Sequence, residues 1–164
     1  MYTYQEYSII QSGSTEEISS CAKMMAGSDP WVRLGMSETN CLQAFEGDYR
    51  ELYLLKKGTE IAGFIILQIK GSFKGYIQTL FVAEKFRGEK LGSYLLEFAE
   101  KQIHAYSPNV FICVSAFNES AIRLYTRFGF SLVGILKDFV KEGYDELLMR
   151  KTIGPMLGYQ GNNK

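Results

Sequence analysis

Two short stretches carry residue types that could do chemistry together. The first is Arg87-Gly88-Glu89-Lys90-Leu91-Gly92, which runs straight into the apolar, periodic segment SYLLEFAE. The second is NESAIRLYTRFGF, in which Tyr125 stands seven residues after Asn118. At a helix start the first backbone N–H groups have no intrahelical partner. Their dipoles add to about half a positive charge at that end, and an anion placed there satisfies both deficits. Gly88 and Gly92 lack the side chains that would block close approach of a ligand to the backbone. Arg87 and Lys90 add formal charge at the same end. The stretch 82–93, closed by Ser93, is therefore a candidate phosphate or pyrophosphate site. The same glycines would also serve an ordinary helix-start turn, and the loop alone does not choose between the two. It is neither G-x-x-x-x-G-K-[ST] nor G-x-G-x-x-G.

Asn118 and Tyr125 lie two helical turns apart, hence on one face. Asn118 is a natural cap, its side chain accepting from a first-turn N–H. From the residues alone, Tyr125 reads as a core aromatic packing with Phe128.

The elements that must position these residues follow from periodicity. YTYQEYSII alternates aromatic and β-branched residues and predicts a first strand. SGSTEEISSCAKMMAG predicts a helix, with Ser14 and Glu17 as a capping box, Ile18, Ala22 and Met25 on one face, and Gly27 as its stop. SDPWVRLG reads as a loop holding Trp31 and Arg33. SETNCLQAFEG predicts a second short helix capped by Ser37. Strands follow, with turns at Lys57-Gly58-Thr59 and at residues 71–75. The nearly unbroken apolar run 61–69 predicts a central strand covered on both faces, and 76–82 the next strand of an antiparallel meander. Leu95, Leu96, Ala99 and Ile103 recur at helical spacing after Gly92. NVFICVSAF is another apolar strand, so the strand–helix–strand unit predicts one parallel crossover. SLVGILKDFV and DELLMRKTI form a terminal hairpin around Lys141-Glu142-Gly143. The expected organisation is one domain over residues 1–152, with a loose tail over 153–164.

Composition narrows the classes. Eighteen basic residues balance eighteen acidic ones, so no global field favours nucleic acid or an anionic membrane. Three dispersed cysteines and a single histidine match no zinc spacing, so no metal is expected. The N-terminus carries no signal-peptide pattern, and no apolar run reaches the roughly 18 residues of a membrane span. The expectation is a reduced, cytoplasmic protein, with room for a homodimer.

In element order over roughly residues 51–151, the chain resembles the GNAT superfamily of N-acetyltransferases. Its phosphate loop [Q/R]-x-x-G-x-[G/A] is matched by residues 87–92, with Lys90 where glycine is usual. Its second signature, N-x-x-A-x-x-L-Y-x-x-x-G-F, is met by Asn118, Ala121, Leu124, Tyr125, Gly129 and Phe130. The resemblance implies a mixed α/β fold: a mostly antiparallel sheet of about seven strands, helices on both faces, and two middle strands that splay apart. It implies acetyl-CoA as donor and a primary amine of a small molecule or peptide as acceptor. By carry-over, Leu80, Phe81 and Val82 would contact the pantetheine and acetyl end. Arg87, Gly88, Glu89, Lys90, Leu91, Gly92 and Ser93 would hold the pyrophosphate. Asn118 would touch the cofactor arm, and Tyr125 would be the general acid.

The acceptor amine must be neutral to attack, which calls for a base or a water relay. Some relatives place a glutamate where Cys113 stands, and a thiol there reads as a small core residue. Gln78 and Tyr76 occupy the other splayed strand without supplying a carboxylate. Glu119 reads as a helix-dipole partner. The base is thus left unnamed. Trp31, Arg33 and Gln78 are candidates for contact with the acceptor. Tyr144, Asp145 and Glu146 could face a cation, but the default for hairpin charges is solvation. The rival to an enzyme is a non-catalytic acyl-CoA-binding sensor or scaffold.

Overall fold

The computed structural model describes residues 2–161. Eight strands form one sheet in the order β1-β2-β3-β4-β5-β6-β8-β7. They are β1 (Tyr2–Tyr4), β2 (Tyr7–Ser12), β3 (Arg50–Lys57), β4 (Glu60–Gln68), β5 (Tyr76–Val82), β6 (Asn109–Ser115), β7 (Ser131–Lys141) and β8 (Tyr144–Thr152). All neighbours pair antiparallel except β5 and β6, which are parallel. The five helices are α1 (Thr15–Ala26), α2 (Trp31–Leu34), α3 (Glu38–Leu42), α4 (Leu91–Ile103) and α5 (Glu119–Phe128).

The count exceeds the expected seven because YTYQEYSII is not one strand. Gln5 takes a positive φ of 52° and folds the segment into the β1–β2 hairpin. Alternation of apolar residues could not reveal this, since both arms of the hairpin keep period two. The SDPWVRLG connection is likewise not a plain loop: α2 forms within it and ends at Gly35 in the left-handed region.

Two apolar cores cover the two faces. On one, Leu95, Leu96, Ala99 and Ile103 of α4 pack with Ile65, Leu67, Ile77 and Ile112. On the other, Cys21, Ala22 and Met25 of α1 and Cys41 of α3 pack with Leu54, Phe64, Ile66 and Phe81. Successive β4 residues thus go to opposite cores, which accounts for the unbroken apolar run. Ser14 caps α1, accepting from Glu17 N at 3.4 Å. Ser37 and Asn40 form a reciprocal capping box on α3. Along the tail, Tyr159 donates to the His104 carbonyl at 2.5 Å, and Ser107 Oγ lies 3.7 Å from Met156 Sδ. Residues 162–164 of that tail lie outside the described residues.

Candidate active site

The site is built where the sheet comes apart. β5 and β6 pair only at Tyr76–Phe111 and Ile77–Ile112. β5 then stays with β4 as far as Val82, and β6 stays with β8 as far as Ser115. The edges 78–82 and 113–115 therefore face each other across a gap, each with unpaired backbone groups. Local sequence explains the geometry. At the joined end, a Cβ on Gly75 would sit 2.4 Å from the Asn109 carbonyl oxygen, and φ there is +88°. Only glycine lets the strands meet so closely. Just beyond, Leu67 pairs with Ile77 but Ile66 pairs with Thr79, so Gln78 is an extra residue in β5. Such a bulge bends and twists its strand, and here it stands where β5 leaves β6.

Two adjoining spaces open from the gap. A cleft of about 470 Å³ is lined by Leu80, Phe81 and Val82, by Arg87, Gly88, Lys90, Leu91, Gly92 and Ser93, and by Asn118 and Tyr125. A smaller cavity of about 280 Å³ lies beyond it, lined by Gln78, Cys113, Ser115 and Glu146 among others. Trp31, Leu80, Asn118 and Tyr125 line both.

The cleft's loop leaves β5 through a 3₁₀ turn, Glu84–Phe86, anchored by buried Phe86. Arg87 Nε donates to the Val82 carbonyl at 3.4 Å. Lys90, where the resemblance leads one to expect glycine, itself takes the left-handed conformation at φ 61°, ψ 17° and starts α4. No side chain caps this helix, so its first-turn amides keep the unsatisfied donors that favour an anion. Glu89 does not line the cleft. Its carboxylate accepts from the Tyr7 hydroxyl at 2.6 Å, tying the loop to β2. That bond, with burial second, pushes the Tyr7 pKa up to about 12.

Asn118 caps α5, its Oδ1 accepting from Ala121 N at 3.3 Å and from Ser120 Oγ at 3.2 Å. Tyr125 is 5% exposed, and its ring lies 5.9 Å from Phe130, so the aromatic neighbour is Phe130 rather than Phe128. Its hydroxyl has no hydrogen-bond partner among the described residues. Burial raises its pKa, so the proton stays on across the neutral range. The core ring and the available hydroxyl are thus properties of one residue.

Trp31 packs its ring 6.0 Å from Phe81 at the shared wall. Arg33 is elsewhere: it is exposed and stacks over the Phe117 ring at 4.5 Å, outside both spaces. Burial raises the Cys113 pKa, which keeps that thiol neutral and unsuited to act as a base. The residue that sequence reasoning set aside is Glu146. It is 6% exposed, its carboxylate accepts from Ser115 Oγ at 2.5 Å, and burial raises its pKa. Hairpin acids usually face water. The β6–β8 register, which pairs Glu146 with Ser115, turns this one inward, and that register is invisible along a single strand. Among the described residues, no group of three His, Cys, Asp or Glu could hold a metal.

Residues 15–130, more than half of the chain, match the model of the acetyltransferase (GNAT) family. The chain belongs to the GNAT family. An N-alpha-acetyltransferase from Sulfurisphaera tokodaii is 28% identical over 103 residues, which is 55% of this chain and 62% of that relative's length. The ribosomal-protein-S18-alanine N-acetyltransferase of Escherichia coli shares the fold with a TM-score of 0.73 at 19% identity, covering 91% of this chain and 95% of that one. A GNAT family acetyltransferase of Elizabethkingia anophelis, solved with acetyl-CoA bound, has a TM-score of 0.70 at 23% identity, covering 92% of this chain and all of that one, 100%. The GNAT fold thus extends beyond the matched residues into the terminal hairpin.

Proposed function

We propose that this GNAT protein is an N-acetyltransferase that moves an acetyl group from acetyl-CoA to a primary amine of a small molecule or peptide. The observation that carries the reading is the unpartnered Tyr125 hydroxyl, on the wall shared by a cleft with an uncapped helix start and a second cavity behind it. Acetyl-CoA fits what the chain offers. The α4 amides, with Lys90 and Arg87, supply positive potential for a diphosphate. The open edges 78–82 and 113–115 supply donors and acceptors for the amides of a pantetheine arm, which would add like a short strand. Bound acetyl-CoA supplies an activated acyl carbon with a thiolate leaving group.

The chain's own residues do the rest. Tyr125 acts as general acid and delivers its proton to the departing sulfur. Its raised pKa keeps that proton in place at neutral pH. Trp31 and Leu80 line both spaces and put apolar surface where the two adjoin. The kinship with an N-alpha-acetyltransferase supports a peptide terminus as one acceptor class. The buried free thiols Cys21 and Cys41 suit a reducing compartment such as the cytoplasm.

Calorimetry with acetyl-CoA, followed by thiol release on a panel of amines and short peptides, tests the proposal. Binding with amine-dependent release of one thiol per acetyl group is the expected result. If no CoA compound binds, the reading fails. Binding without thiol release on any amine makes the protein a sensor or scaffold.

A further inference from the structure

Within the smaller cavity one acidic group has no ion-pair partner among the described residues. Glu146 lines it and, among the described residues, has one hydrogen-bond partner, Ser115, and no ion pair. The other charged group on the lining is Arg50. Its Nη1 is committed to the Ala44 carbonyl at 2.6 Å and the Gln43 carbonyl at 3.3 Å. The remaining titratable groups facing Glu146 are Tyr76 of β5 and Cys113 of β6, with Tyr125 of α5 on the same cavity wall. Burial raises all three, so they are neutral near pH 7 and none can compensate a carboxylate. Leu136 is its neighbour across the hairpin on β7.

A buried, uncompensated carboxylate is costly for the fold. The cost is removed when a cation that can donate hydrogen bonds enters the cavity. The acceptor of an N-acetyltransferase arrives in that form, since a primary amine near pKa 10 is an ammonium at neutral pH. We infer that Glu146 binds the acceptor as its ammonium and is the catalytic base that takes the proton. The inference rests on the acetyltransferase reading above.

The step balances. One N–H bond of the ammonium breaks and one O–H bond forms on the Glu146 carboxylate, leaving a neutral amine. The nitrogen lone pair then forms the C–N bond as the C–S bond breaks. The amide nitrogen's second proton leaves for water, the sulfur takes its proton from Tyr125, and a water-borne proton restores the tyrosine. Glu146 then releases its proton to solvent. The net result is one amide, one thiol and one proton per turnover. Burial moves the Glu146 pKa upward, the direction that makes a carboxylate a stronger base. The substrate class follows: a compact cationic amine, with no carboxylate close to the reacting nitrogen to meet Glu146.

The test compares the wild type with Glu146→Gln, using n-butylamine and 1,4-diaminobutane as acceptors at saturating acetyl-CoA. The substitution should lower kcat/KM for the amine by about 10²–10⁴-fold near neutral pH. The defect should shrink as pH approaches the amine's own pKa, where free amine replaces the ammonium. Acetyl-CoA affinity by calorimetry should stay within about twofold.

Stability should move the other way. Because burial raises the pKa of Glu146, its contribution to stability is full below its unfolded value and is lost as pH rises through the folded one. Glutamine has no such loss, so the melting temperature of Glu146→Gln should match or exceed wild type near neutral pH. A merely structural glutamate would show the reverse. An active wild type with an equally active Glu146→Gln overturns the base and leaves the acetyltransferase standing. A wild type that binds acetyl-CoA but releases no thiol with any member of the amine and peptide panel overturns the reading beneath. One readout is independent of turnover. The Glu146 carboxyl, followed by ¹³C NMR, should titrate above the ordinary carboxylate range and fall in pKa when n-butylammonium is added. A resonance indifferent to the cation overturns the assignment.

Discussion

Tyr125 joins a packed ring to the hydroxyl that the proposed reaction would use as its acid. Its ring is core, 5.9 Å from Phe130, while the residue lines both the cleft and the cavity and its hydroxyl has no hydrogen-bond partner among the described residues. Tyr125→Phe keeps the ring and removes only the oxygen, so the fold should be preserved. Because no hydrogen bond is broken among the described residues, the thermal midpoint should hardly move. Turnover is another matter: losing a general acid costs typically 10²–10⁴-fold, or about 3–5 kcal/mol of barrier. Steady-state kinetics should therefore show a lower kcat at an unchanged acetyl-CoA dissociation constant. Wild-type turnover in the phenylalanine variant would refute the acid. Residue types and spacing singled out Tyr125, but not the raised pKa that keeps its proton in place. They placed Glu146 among solvated charges, because burial of a carboxylate depends on which strand lies beside it. Arg33 goes the opposite way. Its charge could pair with a substrate carboxylate, yet along the four-residue α2 Trp31 lines both spaces while Arg33 lies over Phe117, outside them.

At the scale of elements, the α4 start concentrates the conflict between folding and binding. A non-glycine residue in the left-handed region costs about 1–2 kcal/mol, and Lys90 holds that position at φ 61°. The loop is kept there from both sides, by the Glu89–Tyr7 bond and by the apolar insertion of Phe86 and Leu91. Lysine in place of the family's glycine adds a charge beside the candidate diphosphate site. Lys90→Gly should thus raise stability by about 1 kcal/mol, measured by denaturant unfolding. It should also weaken CoA binding, with a salt dependence shallower than that of wild type. Tighter binding by the glycine variant would show that the charge has no part in holding the ligand. Most elements were legible because period and punctuation agree: Ser14, Ser37, Gly92 and Asn118 stand where helices start. The β1–β2 hairpin was not, since its turn rests on Gln5 at positive φ, for which no glycine signals.

Over the whole molecule, the sheet is two sub-sheets, β1 to β5 and β6 to β8 with β7, joined by two residue pairs and by α4 lying across one face. A sequence with one buried strand–helix–strand unit announces the parallel joint. It does not announce how far the joint extends, because the divergence depends on the Gln78 bulge and on Gly75. This architecture makes a prediction about dynamics. In strands 78–82 and 113–115, alternate amides are bonded to β4 or β8, while those between them face the gap. Hydrogen exchange of the free protein should therefore alternate along both segments, with slow and fast amides in turn. Adding CoA should protect the fast set if a pantetheine arm fills the gap as an extra strand. Saturation at about a hundredfold excess over the dissociation constant adds roughly 2.7 kcal/mol. At about 2–4 °C per kcal/mol for a domain of this size, the melting temperature should rise by about 5–11 °C. Slow exchange throughout 78–82 before any ligand is added would mean that the strands close on each other in solution. The gap would then not be a site waiting for a third strand.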